Sequence, residues 1–133
     1  MLDCLIVGDS IAVGTAQIRT ECVSYAKSGI NSRDWNKKYA DRDLAGKTVI
    51  ISLGSNDTSH IRTIWEVTQL RERVQAQKVF WILPANKADV REFVERVAKD
   101  FGDTVLPIRS LSTDGVHPTG RGYRELAKST RPD

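Results

Sequence analysis

The sequence predicts an α/β fold, with a parallel sheet of five strands as the middle of three α/β/α layers. Two observations lead to this prediction. Short β-branched apolar runs such as "KTVIISL" alternate with longer segments of helical spacing, which is typical of parallel sheets with crossover helices. The 133 residues, 40% hydrophobic and 28% charged, are also enough for a buried core. We therefore expect a single domain over residues 1–133.

The predicted strands and helices alternate along the chain. The strands are predicted at Leu2–Val7, Cys22–Ala26, Lys47–Leu53, Val79–Leu83 and Thr104–Pro107. The helices are predicted at Ile11–Arg19, Ser32–Lys38, Ile61–Gln77, Ala88–Phe101 and Gly120–Ser129. We expect Ser32 to cap the second helix and Thr119 the last. Right-handed crossovers leave few topologies, and we favour the flavodoxin-like strand order 2-1-3-4-5.

Charge and hydropathy argue against two classes of partner. The net charge is +3, but the basic residues are spread along the chain, so we expect no nucleic-acid binding. No apolar run approaches the roughly 18 residues of a membrane span. The amino terminus also lacks the basic segment of a signal peptide. We expect a cytoplasmic or particle-associated protein, whose oligomeric state the sequence does not predict.

The two cysteines, Cys4 and Cys22, match no metal-binding motif. Without a secretory signal, we expect both to be buried free thiols.

Polar segments follow each predicted strand. In chain order they are "GDS", "KSGINS", "GSND", "PANKAD" and "RSLSTDGVHP". The carboxyl ends of parallel strands meet at one edge of the sheet, and function in such folds is found there. We therefore expect these segments to form one site.

The segments contain the groups that acyl transfer requires. A serine hydroxyl such as Ser10 becomes a nucleophile when a base takes its proton, and His117 is the natural base. Asp114, three residues before His117, could orient the imidazole. The backbone N–H groups of Ser10 and Gly29 and the side-chain amide of Asn56 could bind an oxyanion.

The four blocks "GDS", "SG", "GSND" and "DGVHP", in this order, resemble the SGNH hydrolases, also called the GDSL esterase/lipase family. The resemblance covers nearly the whole chain and implies a flavodoxin-like fold and ester hydrolysis without metal or cofactor. It implies that Ser10 is the nucleophile, that Asp114 and His117 complete the triad, and that Ser10, Gly29 and Asn56 form the oxyanion hole. The first block reads GDSI rather than GDSL, and the chain is short for the family.

The resemblance implies a serine esterase that works through an acyl-enzyme. Short loops, especially between the fourth strand and the last block, predict an open, shallow site. We therefore expect short acyl groups, first of all O-acetyl esters of carbohydrate. A thioesterase, a short-chain lipid esterase and a non-catalytic binding module with the same fold are the alternatives.

Three further side chains are candidate substrate contacts, namely Arg33, Trp35 and His60. Trp35 could instead be a core residue, as we expect for Trp65 and Trp81. Plain structural roles are also open for the main site residues, since serine caps helices and asparagine forms Asx turns. We expect Asp9 and Asp57 to brace loops. A metal site of Asp57, His60 and His117 has no recognisable spacing.

Overall fold

The computed structural model describes residues 1–131 and contains a five-stranded parallel sheet of order β2-β1-β3-β4-β5. The strands are β1 Leu2–Gly8, β2 Val23–Ala26, β3 Gly46–Ser52, β4 Lys78–Ile82 and β5 Thr104–Leu106. The helices are α1 Ser10–Ile18, α2 Ser32–Lys38, α3 Thr63–Arg73, α4 Ala88–Phe101 and α5 Gly120–Ser129. The predicted fold class and strand order are confirmed.

Both faces of the sheet are covered by helices, because successive side chains of a strand point to opposite faces. In β1, Leu5 and Val7 belong to the buried cluster that contains residues of α2, α3 and α4, whereas Ile6 belongs to the cluster that contains residues of α1 and α5. A strand buried on both faces is a continuous apolar run, which is the pattern that predicted it.

The helix α3 is shorter than predicted. Residues 74–77 leave the helix and run beside the chain that enters β3, where Gln75 donates to the Leu44 carbonyl and Gln77 to the Lys47 carbonyl, both at 3.0 Å. These long-range backbone bonds replace the last helical turn. At α2, the predicted cap is wrong, since Asn31 accepts from the Asp34 N–H at 2.8 Å in place of Ser32.

The helix α5 is held in place by a buried arginine and a confirmed cap. The Arg19 guanidinium is 3% exposed and donates to the Ala127 carbonyl at 3.2 Å and to the Thr130 hydroxyl at 2.8 Å. Because a buried guanidinium without partners is costly, these bonds fix the end of α5 against the α1–β2 connection. At the other end, the Thr119 side chain accepts from the Gly122 N–H at 3.1 Å.

The expectation of free thiols is wrong, because Cys4 and Cys22 form a disulfide. Their Cα atoms are 4.8 Å apart. The cause is the strand register: Leu5 lies opposite Val23, so the preceding residues of the two strands face each other. Structural disulfides are typical of proteins that fold in oxidising surroundings.

Within residues 1–131, no helix has both the length and the apolar character that crossing a membrane requires.

Removal of the disulfide should lower stability. The bond closes a loop with a sequence separation of 18, and such a constraint on the unfolded chain is worth about 3 kcal/mol. We expect the Cys4→Ser/Cys22→Ser variant to lose this amount in denaturant unfolding. Reductant should lower wild-type stability equally and leave the variant unchanged. A wild-type protein insensitive to reductant would contradict the bond.

Candidate active site

The turn from β1 into α1 places Ser10 at the edge of the sheet. Gly8 has φ +142°, and a Cβ there would lie 1.8 Å from the Ser52 carbonyl oxygen, so β1 and β3 need a glycine at this point. Asp9 then donates its N–H to the Ser52 carbonyl at 2.9 Å and caps α1 by accepting from the Ile11 N–H at 3.0 Å. Ser10 is therefore the first helical residue and not the cap, and its hydroxyl remains free for other partners.

Ser10, His117 and Asp114 form a hydrogen-bonded chain. Ser10 Oγ lies 2.8 Å from His117 Nε2, although the two residues are 107 positions apart. His117 Nδ1 lies 2.8 Å from Asp114 Oδ2. A carboxylate accepts from the ring N–H at Nδ1, which leaves the Nε2 lone pair to accept from the serine hydroxyl.

A short hairpin holds His117 and Asp114. Its two sides are joined by bonds from the Ser112 N–H to the His117 carbonyl and from the Thr119 N–H to the Ser110 carbonyl, both 2.9 Å. The two hydroxyls at its base, of Ser110 and Thr119, are 2.6 Å apart. The imidazole is thus carried on a braced loop.

The Asp114 carboxylate is held in its ionised form. Its bond with the His117 ring is the largest cause that lowers its pKa far below the usual range. The His117 and Val116 N–H groups and the Ser112 hydroxyl contribute in the same direction. The two side chains are still open to water, with 42% of His117 and 50% of Asp114 exposed. The site is therefore open on this side.

The structure brings the proposed oxyanion donors to the same edge. Lys27 donates its N–H to the Gly8 carbonyl at 3.0 Å, which places the segment after β2 beside the Ser10 turn. Gly29 follows with φ +81° and no atom within 4 Å of where a side chain would begin. Asn56 donates one amide hydrogen to the Ile30 carbonyl at 3.1 Å, which leaves the other available. The Ser10 N–H belongs to the first turn of α1, where amides lack helical partners.

Asp57 braces the loops, as expected. Its carboxylate is 1% exposed and accepts from the Ser32 N–H at 2.8 Å, the Ser32 hydroxyl at 2.6 Å and the Thr63 hydroxyl at 2.7 Å. The Lys87 ammonium donates to the Asp57 backbone carbonyl. These bonds tie the starts of α2 and α3 to the loop that carries Asn56.

The prediction that Trp35 contacts substrate is wrong. Trp35 is 0% exposed, donates its indole N–H to the Tyr25 carbonyl at 2.9 Å and packs on the Tyr39 ring. Its position four residues before Tyr39, the residue that ends α2, puts both aromatic side chains on the same side of the chain, which is the signal that favours a core role. Trp81 is also buried, whereas Trp65 is 46% exposed, contrary to expectation.

The other two candidate contacts stay predictions. Arg33 is exposed and pairs with Asp34 at 3.4 Å. His60 is exposed in the turn before α3, and its N–H donates to the Thr58 hydroxyl at 3.4 Å.

Metal ligation is not favoured by the side chains at the site. His117 Nε2 faces the Ser10 hydroxyl, and the Asp57 carboxylate is surrounded by three donors. Over residues 1–131, one group of three ligand-type side chains lies close together, namely Cys4, Glu21 and Cys22. Its two sulfur atoms are bonded to each other.

Two cavities lie near the site. A cavity of 320 Å³ borders Gly29 and is lined by Lys27, Ser28 and Lys38 among others. A larger one, of 660 Å³, lies between α5 and the segment from Leu106 to Ser110. The larger cavity includes none of the triad residues.

Asp9 has an electrostatic role that its place in the sequence did not indicate. Its side chain is 0% exposed, and Oδ2 has no hydrogen-bond partner within the described residues. Burial raises the pKa of this carboxyl to about 6, although bonds from Ile11 and Ser52 act in the opposite direction. The charged form is thus disfavoured directly behind Ser10.

The raised pKa of Asp9 should make stability depend on pH. The folded protein holds this proton to a higher pH than the unfolded chain, so the free energy of unfolding should fall as pH rises from about 4 to about 7. The pKa difference, from 3.8 to about 6, corresponds to about 3 kcal/mol. We expect this fall for wild type relative to Asp9→Asn in urea unfolding. A pH-independent difference between the two proteins would refute it.

No protein-family model matches the sequence, and no curated protein matches it either. Solved structures do. A candidate acylhydrolase from Bacteroides fragilis is 15% identical with a TM-score of 0.72, covering 96% of this chain and 83% of that one. A candidate GDSL-like lipase from Parabacteroides merdae is 16% identical with a TM-score of 0.68, and the match covers 94% of this chain and 91% of that one.

A third similar structure is the catalytic domain of a peptidoglycan O-acetyltransferase from Streptococcus pneumoniae, with a methylsulfonyl adduct. It is 15% identical with a TM-score of 0.62, and the match covers 96% of this chain and 89% of that domain. At such identities the likeness establishes the fold. The resemblance that the four motifs predicted is thereby confirmed at the level of architecture, and the chain has the fold of the SGNH (GDSL) hydrolases.

Proposed function

We propose that this protein is a serine esterase of the SGNH type. The observation that carries the proposal is the continuous hydrogen-bonded chain from Ser10 Oγ through His117 to Asp114, with 2.8 Å at each link. A helix cap would not need an imidazole from the far end of the chain on its hydroxyl. This arrangement therefore argues against a binding module that has merely kept the fold.

The geometry supports a two-step mechanism. Ser10 Oγ attacks the ester carbonyl carbon while its proton passes to His117 Nε2. The Ser10 and Gly29 amides and the Asn56 side chain stabilise the oxyanion. The intermediate collapses when His117 returns the proton to the departing alcohol, which leaves an acyl-serine.

Water completes the cycle. It attacks the acyl-serine while His117 takes one of its protons, and the second collapse releases the carboxylic acid and returns the proton to Ser10. Asp114 stays ionised throughout and stabilises the imidazolium that forms twice.

The substrate we propose is an O-acetyl ester of a carbohydrate. The triad is half open to solvent, and the chain between β4 and the catalytic hairpin contains α4, β5 and only short connections. An open site of this kind suits an ester presented on a larger molecule. One similar structure is described as a peptidoglycan O-acetyltransferase, which supports acetyl chemistry on a sugar polymer. Arg33 and His60 are the candidate contacts beyond the ester.

The triad and the disulfide bear on the domain organisation of the chain and on the redox conditions in which it works. We take residues 1–133 as one hydrolase domain, since the site joins Ser10, near the start of the chain, to His117, near its end. The disulfide favours an oxidising setting over the cytoplasm. Thioesters and short lipid esters are the alternative substrates, and no cofactor is required by the mechanism.

Replacement of Ser10 should abolish hydrolysis. We expect Ser10→Ala to lower kcat for p-nitrophenyl acetate by at least about 10³-fold, because the nucleophile is lost. Ser129→Ala is the matched control, since Ser129 is an exposed serine at the far end of α5, and it should keep wild-type kcat. Equal rates for wild type and Ser10→Ala would overturn the proposed function.

Activity should not increase with acyl chain length. In an enclosed acyl pocket each buried methylene is worth about 0.8 kcal/mol, or roughly fourfold in kcat/KM. We expect no such gain from acetate to butyrate to octanoate among p-nitrophenyl esters. A steady rise toward octanoate would instead favour the lipid-esterase alternative.

A further inference from the structure

Tyr123 of α5 lies against α1, the helix that begins with Ser10. Gly14 is four residues after Ser10 and therefore on the same face of α1. A Cβ on Gly14 would lie 2.4 Å from Cε1 and 2.5 Å from Cζ of Tyr123. The aromatic ring thus covers the Gly14 backbone one turn beyond the serine, in space that any larger residue would fill.

Tyr123 belongs to the first turn of α5, the helix that follows the hairpin with Asp114 and His117. Both α1 and α5 begin at the carboxyl edge of the sheet, and helical side chains tilt toward the start of their helix. Burial raises the pKa of Tyr123, and the carboxylates of Asp9 and Asp114 raise it further. The Tyr123 hydroxyl therefore stays protonated at neutral pH and can donate a hydrogen bond.

The Tyr123 hydroxyl is free to bind a ligand. The residue is half-buried, yet its hydroxyl makes no hydrogen bond with any residue that the structure describes. The buried side-chain atoms that lack a partner there are Asp9 Oδ2 and Asn36 Oδ1, so the tyrosine hydroxyl is reached by solvent. A phenylalanine would fill the same space on Gly14. The hydroxyl is therefore not explained by packing.

We propose that Tyr123 is a specificity residue whose hydroxyl hydrogen-bonds a hydroxyl group on the alcohol part of the substrate. An acetyl group has one polar atom, its carbonyl oxygen, and the oxyanion donors already bind that atom. The remaining partners for Tyr123 are on the alcohol, so this position selects polyhydroxylated alcohols such as sugars. The inference rests on the proposed esterase function and deepens it.

The test measures kcat/KM of wild type and of Tyr123→Phe for two acetyl esters. The alcohol of p-nitrophenyl acetate has no further hydroxyl groups, whereas 6-O-acetylglucose has several. We expect kcat/KM to fall about fivefold to tenfold for the sugar ester, the worth of one hydrogen bond, and to stay within about twofold for p-nitrophenyl acetate. The ratio of the two values is measured on one sample, so a loss of folded protein does not change it.

Tyr39→Phe is the matched control, because Tyr39 packs on Trp35 within the core, and it should leave the ratio unchanged. An unchanged ratio in Tyr123→Phe, or a wild-type protein that hydrolyses p-nitrophenyl acetate through Ser10 but not the sugar ester, would overturn this inference alone. Absence of Ser10-dependent hydrolysis of both esters would overturn the esterase function and this inference with it.

Discussion

The parallel pairing of β1 with both β2 and β3 is the constraint on which the site depends. Strand β1 lies between β2 and β3, and its last residue, Gly8, is in register with Ala26 of β2 and Ser52 of β3. The three loops that follow these strands must therefore leave the sheet together. They supply Ser10 and the segments that carry Gly29 and Asn56, and the close contact of Gly8 with Ser52 leaves no room for a side chain that would separate them. The strand pairing thus brings these three loops together, whatever side chains they carry.

The two aspartates beside Ser10, Asp9 and Asp114, differ in burial, and their pKa values shift in opposite directions. Asp9 is enclosed behind the serine with one oxygen unpaired, and burial raises its pKa to about 6. Asp114 stands in solvent among several donors, and these lower its pKa. The carboxylate that faces the imidazole therefore keeps its charge to a much lower pH than the one beside the nucleophile. The Asp9 carboxyl takes up a proton as the pH falls toward 6, which reduces the negative charge next to the serine in that range.

The sequence was informative where structure is local and less so where it depends on distant contacts. The alternation of apolar strand-like runs with segments of helical spacing predicted the fold, because each of these patterns can be recognised within a short stretch of consecutive residues. The end of α3 was missed, since Gln75 pairs with a segment 31 residues earlier. The disulfide of Cys4 and Cys22 required the register of β1 against β2. For Trp35 the sequence left a core role and a substrate contact open, and the core role follows from the neighbours that cover this face of α2. Tyr123 was missed altogether, because its approach to α1 follows from the packing of two helices far apart in the chain.

The role of Ser10 as nucleophile is tested most directly by labelling the protein with methanesulfonyl fluoride and locating the adduct by peptide mass spectrometry. Attack by Ser10 Oγ on sulfur expels fluoride and leaves a sulfonyl ester. We predict one adduct, on Ser10, formed at least about 100-fold more slowly in His117→Ala because the general base is missing. A folded protein that stays unlabelled at Ser10, or one that reacts equally fast without the imidazole, would contradict it.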